Sequence, residues 1–268
     1  MTWNHLSMAM LTDIGNIREN NEDAGCFDVS RGFCAVADGV GGGAAGEYAS
    51  ATVIDALKVA MAATPGDATP EERIGAMKKA IANANQAIAE YAETHLQSNS
   101  GTTVVALLFS PWHPDEATAL HVGDSRVYRL RDSALTALTQ DHTIAAEIGV
   151  SESELPRIYR DMLTQAVGMV SDCDVERTPV NVRADDLFLV CTDGLFKALS
   201  PDHLKRLLCT NRGLPAPDLA ALLMQETLSR RAPDNVTLGI VKVGALPPAR
   251  KTTPDDIARD RAAYHQHL

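Results

Sequence analysis

Thr102-Thr-Val-Val-Ala-Leu-Leu-Phe109, Ala117-Thr-Ala-Leu-His-Val122 and Val127-Tyr-Arg-Leu130 follow one another with only short loops between them. Short apolar, β-branched runs that break off at turn residues read as strands. Consecutive strands interrupt the strand–helix alternation that a doubly wound parallel sheet needs, so a layered α+β fold is expected. Upstream, Phe33–Ala37 reads as another strand, followed by two helices. Glu47–Met61 places Val53, Leu57 and Ala60 at helical spacing, and Glu71–Thr94 carries a stripe of Ile74, Met77, Ile81, Ala84, Ile88 and Tyr91. The second helix has a marked start, with Thr69 as N-cap, Pro70 at its first position and Glu72 closing a capping box. Downstream, strands Leu187–Cys191 and Val236–Val243 enclose one helix opened by Ser200-Pro201-Asp202 and running through Leu208, and another over Pro217–Arg231. Past Val243 the character changes: Gly244–Pro254 reads as a linker and Asp255–His265 as a short capped helix. One domain over residues 1–243 with a tail over 244–268 is the expected organisation.

The chain has 268 residues, 45% of them hydrophobic, and 24 Lys or Arg stand against 35 Asp or Glu for a net charge of −11. That composition is globular, and the acidic balance argues against nucleic acid or an anionic membrane as partner. The acids divide into 22 Asp and 13 Glu, an excess of the residue that suits turns, caps and metal sites. The longest apolar run, Val104–Phe109, is far too short to span a membrane. No Lys or Arg precedes the first apolar residues, so no signal peptide is expected. Five cysteines (Cys26, Cys34, Cys173, Cys191, Cys209) show no C-x-x-C spacing, which fits reduced thiols in a cytoplasm better than disulfides or zinc.

The chemistry is in where the Asp residues fall. The strand from Phe33 runs into Asp38-Gly39, the strand from Ala117 into Gly123-Asp124, and the strand from Leu187 into Asp193-Gly194, while Asp234-Asn235 opens the last strand. A single Asp at a strand end reads as a turn residue. If the strands lie side by side, however, these ends converge, and packed carboxylates stay ionised only when cations neutralise them. Oxygen ligands without Cys or His select Mg²⁺ or Mn²⁺. Gly15–Asp23 adds Glu22, Asp23 and Arg18. Alone it is a polar loop whose Arg pairs with a neighbouring carboxylate, but beside a dinuclear site Arg18 becomes a clamp for phosphate oxygens. Two cations about 3.5–4 Å apart can bridge a hydroxide for in-line attack on phosphorus, so metals and Arg together point to phosphoester hydrolysis. Gly41-Gly-Gly43-Ala-Ala-Gly46 matches a dinucleotide fingerprint, but the second strand and acid that the fingerprint requires are missing. The run is expected to keep the path to Asp38 and Gly39 open.

These pieces resemble the metal-dependent serine/threonine protein phosphatases (the PPM family, type 2C) in their compact bacterial form. The resemblance rests on Gly15-x-x-Arg18-x-x-Asn21-Glu22-Asp23, Ala35-Val-Ala-Asp38-Gly39-x-Gly41-Gly42, Ser100-Gly101-Thr102-Thr103, Val122-Gly123-Asp124-Ser125-Arg126, Leu138-Thr-x-Asp141-His142, Leu163-Thr164, Thr192-Asp193-Gly194-Leu195 and Asp234-Asn235-x-Thr237, in the family's order over residues 9–243. It implies a four-layer α-β-β-α sandwich with an antiparallel β-sandwich at its centre and the metals at one end. It also implies that Asp38 bridges two Mn²⁺ or Mg²⁺ ions, that Asp193 and Asp234 complete one site, and that the Gly39 carbonyl and Glu22 complete the other. Asp23 would orient water on the metals, Asp124 with Asp193 would hold a weaker third ion, Arg18 would hold the phosphate, and Gly101–Thr103 and His121 would be structural. Two positions depart from the pattern. Val40 stands where the eukaryotic branch has a His proposed as leaving-group acid, which leaves that acid unassigned. The segment Asp141–Met162, a mobile flap in bacterial relatives, is short and has Arg157-Ile158 where a His-Pro is common. The expected activity is hydrolysis of phosphoserine and phosphothreonine on proteins, opposing a Ser/Thr kinase, by a monomer in the cytoplasm. The alternative is a catalytically weak pseudophosphatase acting as a regulatory binding module, and a different two-metal phosphoesterase is a further rival.

Overall fold

The computed structural model describes residues 3–95 and 100–266. Strands β1 (Leu6–Asp13), β2 (Asp23–Asp28) and β3 (Phe33–Val40) lead into helices α1 (Ala44–Ala63) and α2 (Pro70–Thr94). Then come β4 (Gly101–Thr102), β5 (Val104–Phe109), β6 (Glu116–Val122), β7 (Arg126–Arg131), β8 (Ala134–Ala137) and the short helix α3 (Ile144–Ile148). Strands β9 (Glu176–Asn181) and β10 (Leu187–Cys191), helices α4 (Asp193–Ala198), α5 (Pro201–Asn211) and α6 (Ala216–Ser229), strand β11 (Val236–Val243) and helix α7 (Pro254–His265) complete the order. The strands form two sheets, β1-β11-β10-β7-β8 and β2-β3-β5-β6-β9, with β4 paired to β3. Every pairing between them is antiparallel. The expected α+β sandwich is the fold found.

Burial on both faces explains why the central strands read as unbroken apolar runs. Along β3, Cys34 and Val36 point into the core between the sheets, where Val105, Leu107, Phe109, Phe188, Val190 and Val241 meet them. Ala35 and Ala37 point the other way, onto Val53 and Leu57 of α1 and Ile81 of α2. The other sheet does the same, with Leu189, Cys191, Leu238 and Ile240 facing Leu204, Leu208, Leu219 and Leu223 of the second helix layer. Phe109 and Phe188 meet edge to face at 5.8 Å across the middle of the sandwich, a geometry aromatic pairs favour.

The α2 capping box forms as read, with Thr69 Oγ1 accepting from Glu72 N and Glu72 Oε2 from Thr69 N. Helix α1 begins three residues before the expected Glu47, because Gly43 at φ 64° starts it directly from the glycine run. Strands β1 and β2 were not expected from the pattern. Polar residues interrupt the first, and the second, Asp-Ala-Gly-Cys-Phe-Asp, is held by its pairing with β3 from Asp23↔Asp38 to Asp28↔Phe33. The tail helix α7, capped by Thr253, lies on α2: Arg259 pairs with Glu72 at 3.0 Å and Asp260 accepts from Glu71 N.

Phe188 has no solvent exposure and fills the centre of the sandwich. Phe188→Ala should therefore destabilise the chain by about 3–5 kcal/mol. A urea unfolding midpoint unchanged within error would contradict this account of the core.

Candidate metal centre

The ends of β3, β10 and β11 and the turn after β6 meet at one edge of the sandwich. Around an open cavity of about 740 Å³ they gather Arg18, Glu22, Asp38, Gly39, Asp124, Asp193 and Asp234. Seven of the eight residues singled out in the sequence thus line one space. The eighth, Asp23, is buried beside it, opposite Asp38 in the β2–β3 register.

Each carboxylate is placed by backbone features. Asp38 is clamped by the Ser-Gly-Thr-Thr segment: Thr103 Oγ1 accepts from Asp38 N, and Thr102 Oγ1 and Thr103 N donate to the Asp38 carbonyl at 2.9 and 2.8 Å. Gly39 must be glycine, since a Cβ there would come within 2.2 Å of the Gly46 carbonyl oxygen. Gly46 in turn makes room for Glu22, whose Oε1 accepts from Gly43 N at 2.6 Å. The glycine run therefore packs α1 against the Glu22 loop. It belongs to an antiparallel sheet followed by two helices, which is not a dinucleotide-binding βαβ unit. Asp193 opens α4 directly after β10. Asp23 accepts from Thr192 Oγ1 at 2.8 Å. Asn235 ties the Arg18 loop down, donating through Nδ2 to the Ile14 and Asn20 carbonyls and accepting from Glu22 N.

Crowding these acids has an electrostatic consequence. Burial raises Asp38 well above the ordinary carboxylate range, and repulsion from Asp193, Asp23, Asp124 and Asp234 adds to it. Burial also lifts Asp23 and Asp124 to about 7, with Asp193 contributing to both, and raises Asp193 against the pull of Lys197. Two cations lean into the cavity. Arg18, half exposed, pairs with Asp234 at 2.8 Å, while Lys197 Nζ lies 2.5 Å from Asp193 and 3.4 Å from Asp234. Asp23 Oδ1 and Asp193 Oδ1 are buried with no hydrogen-bond partner, an arrangement that costs free energy unless something fills it. All-oxygen donors, orphaned carboxylate oxygens and uncompensated negative charge fit a hard divalent cation.

A second cluster, His121, His142 and Glu176, brings its ligand-type atoms within 4.8 Å of one another. Its protons argue against a metal. His142 Nδ1 accepts from Gly123 N, so the neutral ring carries its proton on Nε2, facing Glu176 at 3.1 Å. His121 Nε2 faces the Gln140 carbonyl at 2.8 Å and must be its donor. Both nitrogens turned toward Glu176 are thus donors, whereas ligating histidines turn the protonated nitrogen away from the metal. His121 is structural as read, although its Nδ1 has no partner.

Sequence reading missed Lys197, whose place becomes visible only once α4 turns it back over Asp193, and the tethering roles of Thr192 and Asn235. The segment from Asp141 to Met162 leaves the site through α3 and two single 3₁₀ turns, and Thr143 and Leu163 bridge its stem. Met162, Leu163 and Met169 line the cavity with Val40 on its apolar side.

A two-sheet sandwich between helix layers, with converging acids at one end, defines a class of metal-dependent phosphoryl hydrolases. The chain belongs to the protein phosphatase 2C family, whose sequence profile matches residues 18–225. It is similar to the serine/threonine phosphatase Stp of Listeria monocytogenes, 31% identical over 240 residues that cover 86% of this chain and 93% of Stp. Among solved structures it resembles PppA, a key regulatory component of the type VI secretion system in Pseudomonas aeruginosa, with a TM-score of 0.79 and 30% identity over 89% of this chain and 98% of PppA. It also resembles the catalytic domain of the serine/threonine protein phosphatase PstP in complex with two manganese ions, with a TM-score of 0.75 and 31% identity over 89% of this chain and 98% of that domain.

The raised carboxylates set a pH dependence. Without metal, Asp23 and Asp124 stay protonated in the folded chain up to about pH 7 but ionise near 3.8 when unfolded. The folded chain then binds more protons, so the stability these groups contribute is complete below about pH 4 and is lost as the pH rises through 7. In EDTA the melting temperature should fall between about pH 5 and pH 8, and Mn²⁺ should flatten that slope. A melting temperature that rises across this interval in EDTA would contradict the assignment.

Proposed function

We propose that this chain hydrolyses phosphoserine and phosphothreonine in proteins, using two Mn²⁺ or Mg²⁺ ions held at the cavity edge. The observation that carries the reading is the convergence of Asp38, Asp193 and Asp234, with a buried oxygen of Asp193 unpartnered, under the guanidinium of Arg18. Family membership and the two manganese ions of the PstP domain support it. Asp38 would serve both ions, Asp193 and Asp234 one of them, and the Gly39 carbonyl with Glu22 the other. Asp124 contributes from the turn after β6. Bound there, the ions would supply Lewis-acid activation of water and neutralise charge on the phosphoryl group.

The chain's own residues do the positioning. Thr102 and Thr103 fix the Asp38 backbone, so the shared carboxylate cannot drift. Asp23, held by Thr192, presents its free Oδ1 as an acceptor for a water proton. Arg18 sits on a loop pinned by Asn235, with its planar fork at the rim, where two N–H groups can take two phosphate oxygens once it leaves Asp234. Val40 offers no proton to the leaving group, and Val40, Met162, Leu163 and Met169 give the cavity lining its apolar side chains. The catalytic unit is proposed to span residues 1–243, with 244–268 a docked appendage. The substrates are proposed to be phosphoproteins of a partner kinase and the chain to act as a monomer in a reducing cytoplasm. The free cysteines fit such a compartment, and no helix among the described residues is long and apolar enough to cross a membrane.

With Mn²⁺ the protein should release phosphate from an aryl phosphate and from a phosphothreonine peptide, and EDTA should abolish both activities. Asp38→Ala or Asp193→Ala should lower kcat by about three decades or more, the scale of several kcal/mol of lost charge stabilisation. No turnover by manganese-loaded wild type would remove the enzyme reading and leave a binding module. Cleavage of a diester but not of the phosphopeptide would point to another phosphoesterase.

A further inference from the structure

Lys197 is absent from the expected site residues, yet its ammonium lies among the acids. Nζ is 2.5 Å from Asp193 Oδ2 and 3.4 Å from Asp234 Oδ2, and Asp124 also attracts it. The placement is built in: Lys197 stands one turn along α4 from Asp193, so the helix carries its side chain back over the helix's own first residue. The same ammonium borders the neighbouring groove of Asp124, Thr143, Arg160 and Asp161. When Glu22, Asp23, Asp38, Asp124, Asp193 and Asp234 are all ionised they carry six negative charges. Arg18 and Lys197 neutralise two, and two divalent ions neutralise the remaining four. A third divalent ion would overshoot that balance and would have to evict the ammonium from Asp193.

We propose that Lys197 is a tethered cation of this centre, taking the place beside Asp193 and Asp124 that a third divalent ion would fill and holding the chain to two ions. The inference rests on the metal-centre reading of the same cavity. A tethered ammonium is present at high local concentration whatever the free metal concentration, and its three donors satisfy carboxylates without the dehydration that Mg²⁺ resists. It also keeps part of the acid cluster balanced when metal is withdrawn, so the fold does not depend on full loading.

The test counts ions rather than turnover. Equilibrium dialysis against Mn²⁺ without substrate, followed by elemental analysis, should give about two ions per chain for wild type and for Lys197→Arg. It should give about three for Lys197→Met and for Lys197→Gln, in which Asp193 and Asp124 are left to an ion. In EDTA both neutral variants should melt below wild type and Lys197→Arg. If they do not fold at all without metal, that loss is the same dependence on the ammonium, and the count is taken on chains folded in Mn²⁺. A count of about three in wild type, or neutral variants with the wild-type count and affinities, would overturn the proposal. Wild type that binds two ions but hydrolyses nothing would defeat the phosphatase reading and leave this one standing.

Discussion

The structure is organised around one electrostatic constraint: six carboxylates share one end of a β-sandwich, and desolvation with mutual repulsion pushes four of them, Asp23, Asp38, Asp124 and Asp193, toward protonation. Such a cluster persists only if its backbone supports are rigid and if cations balance it. The four layers supply the rigidity. The inter-sheet core around Phe109 and Phe188 and the two helix layers hold the strand ends in register, so Asp38, Asp193 and Asp234 arrive together without being tied directly to one another in sequence.

Hydrogen bonds then set the finer placement. Thr102 and Thr103 fix the Asp38 backbone, Thr192 holds one oxygen of Asp23 and leaves the other free, and Asn235 joins the Arg18 loop to the start of β11. The result is a site with fixed acids and movable cations. Arg18 and Lys197 reach the acids through flexible side chains, whereas the carboxylates sit at strand ends and at a helix start. Arg18 can therefore leave Asp234 and Lys197 can shift along Asp193 without moving the backbone, which suits a centre that must both bind metal and receive phosphate.

Much of this was legible in the sequence. The apolar strands show as continuous runs because both faces are buried, and the Asp-Gly pairs show as interruptions at their ends. The α2 cap is a local motif and formed as read. Other features were not legible because nothing local encodes them. Strand β2 carries little β propensity and is a strand only because β3 pairs with it, so Asp23 looked like part of a polar loop. Helix α4 is only six residues long, and nothing in the local pattern singles out Lys197 before that helix places it on Asp193. The His121–His142–Glu176 group runs the other way: proximity suggests a metal, and only the hydrogen-bond directions show that the Nε2 atoms turned toward Glu176 carry protons.

The sequence by itself determined the inventory: which strands end in carboxylates, that no cysteine or histidine motif competes for the metal, and that an arginine lies near the start of the set. These are properties of composition and local spacing, and local physics suffices to read them. Tertiary structure decided which acids share a cavity, which oxygens lack partners, and that a lysine is the cation among them. Those outcomes depend on distances between residues up to about two hundred positions apart, and electrostatic energy depends on such distances, not on order along the chain.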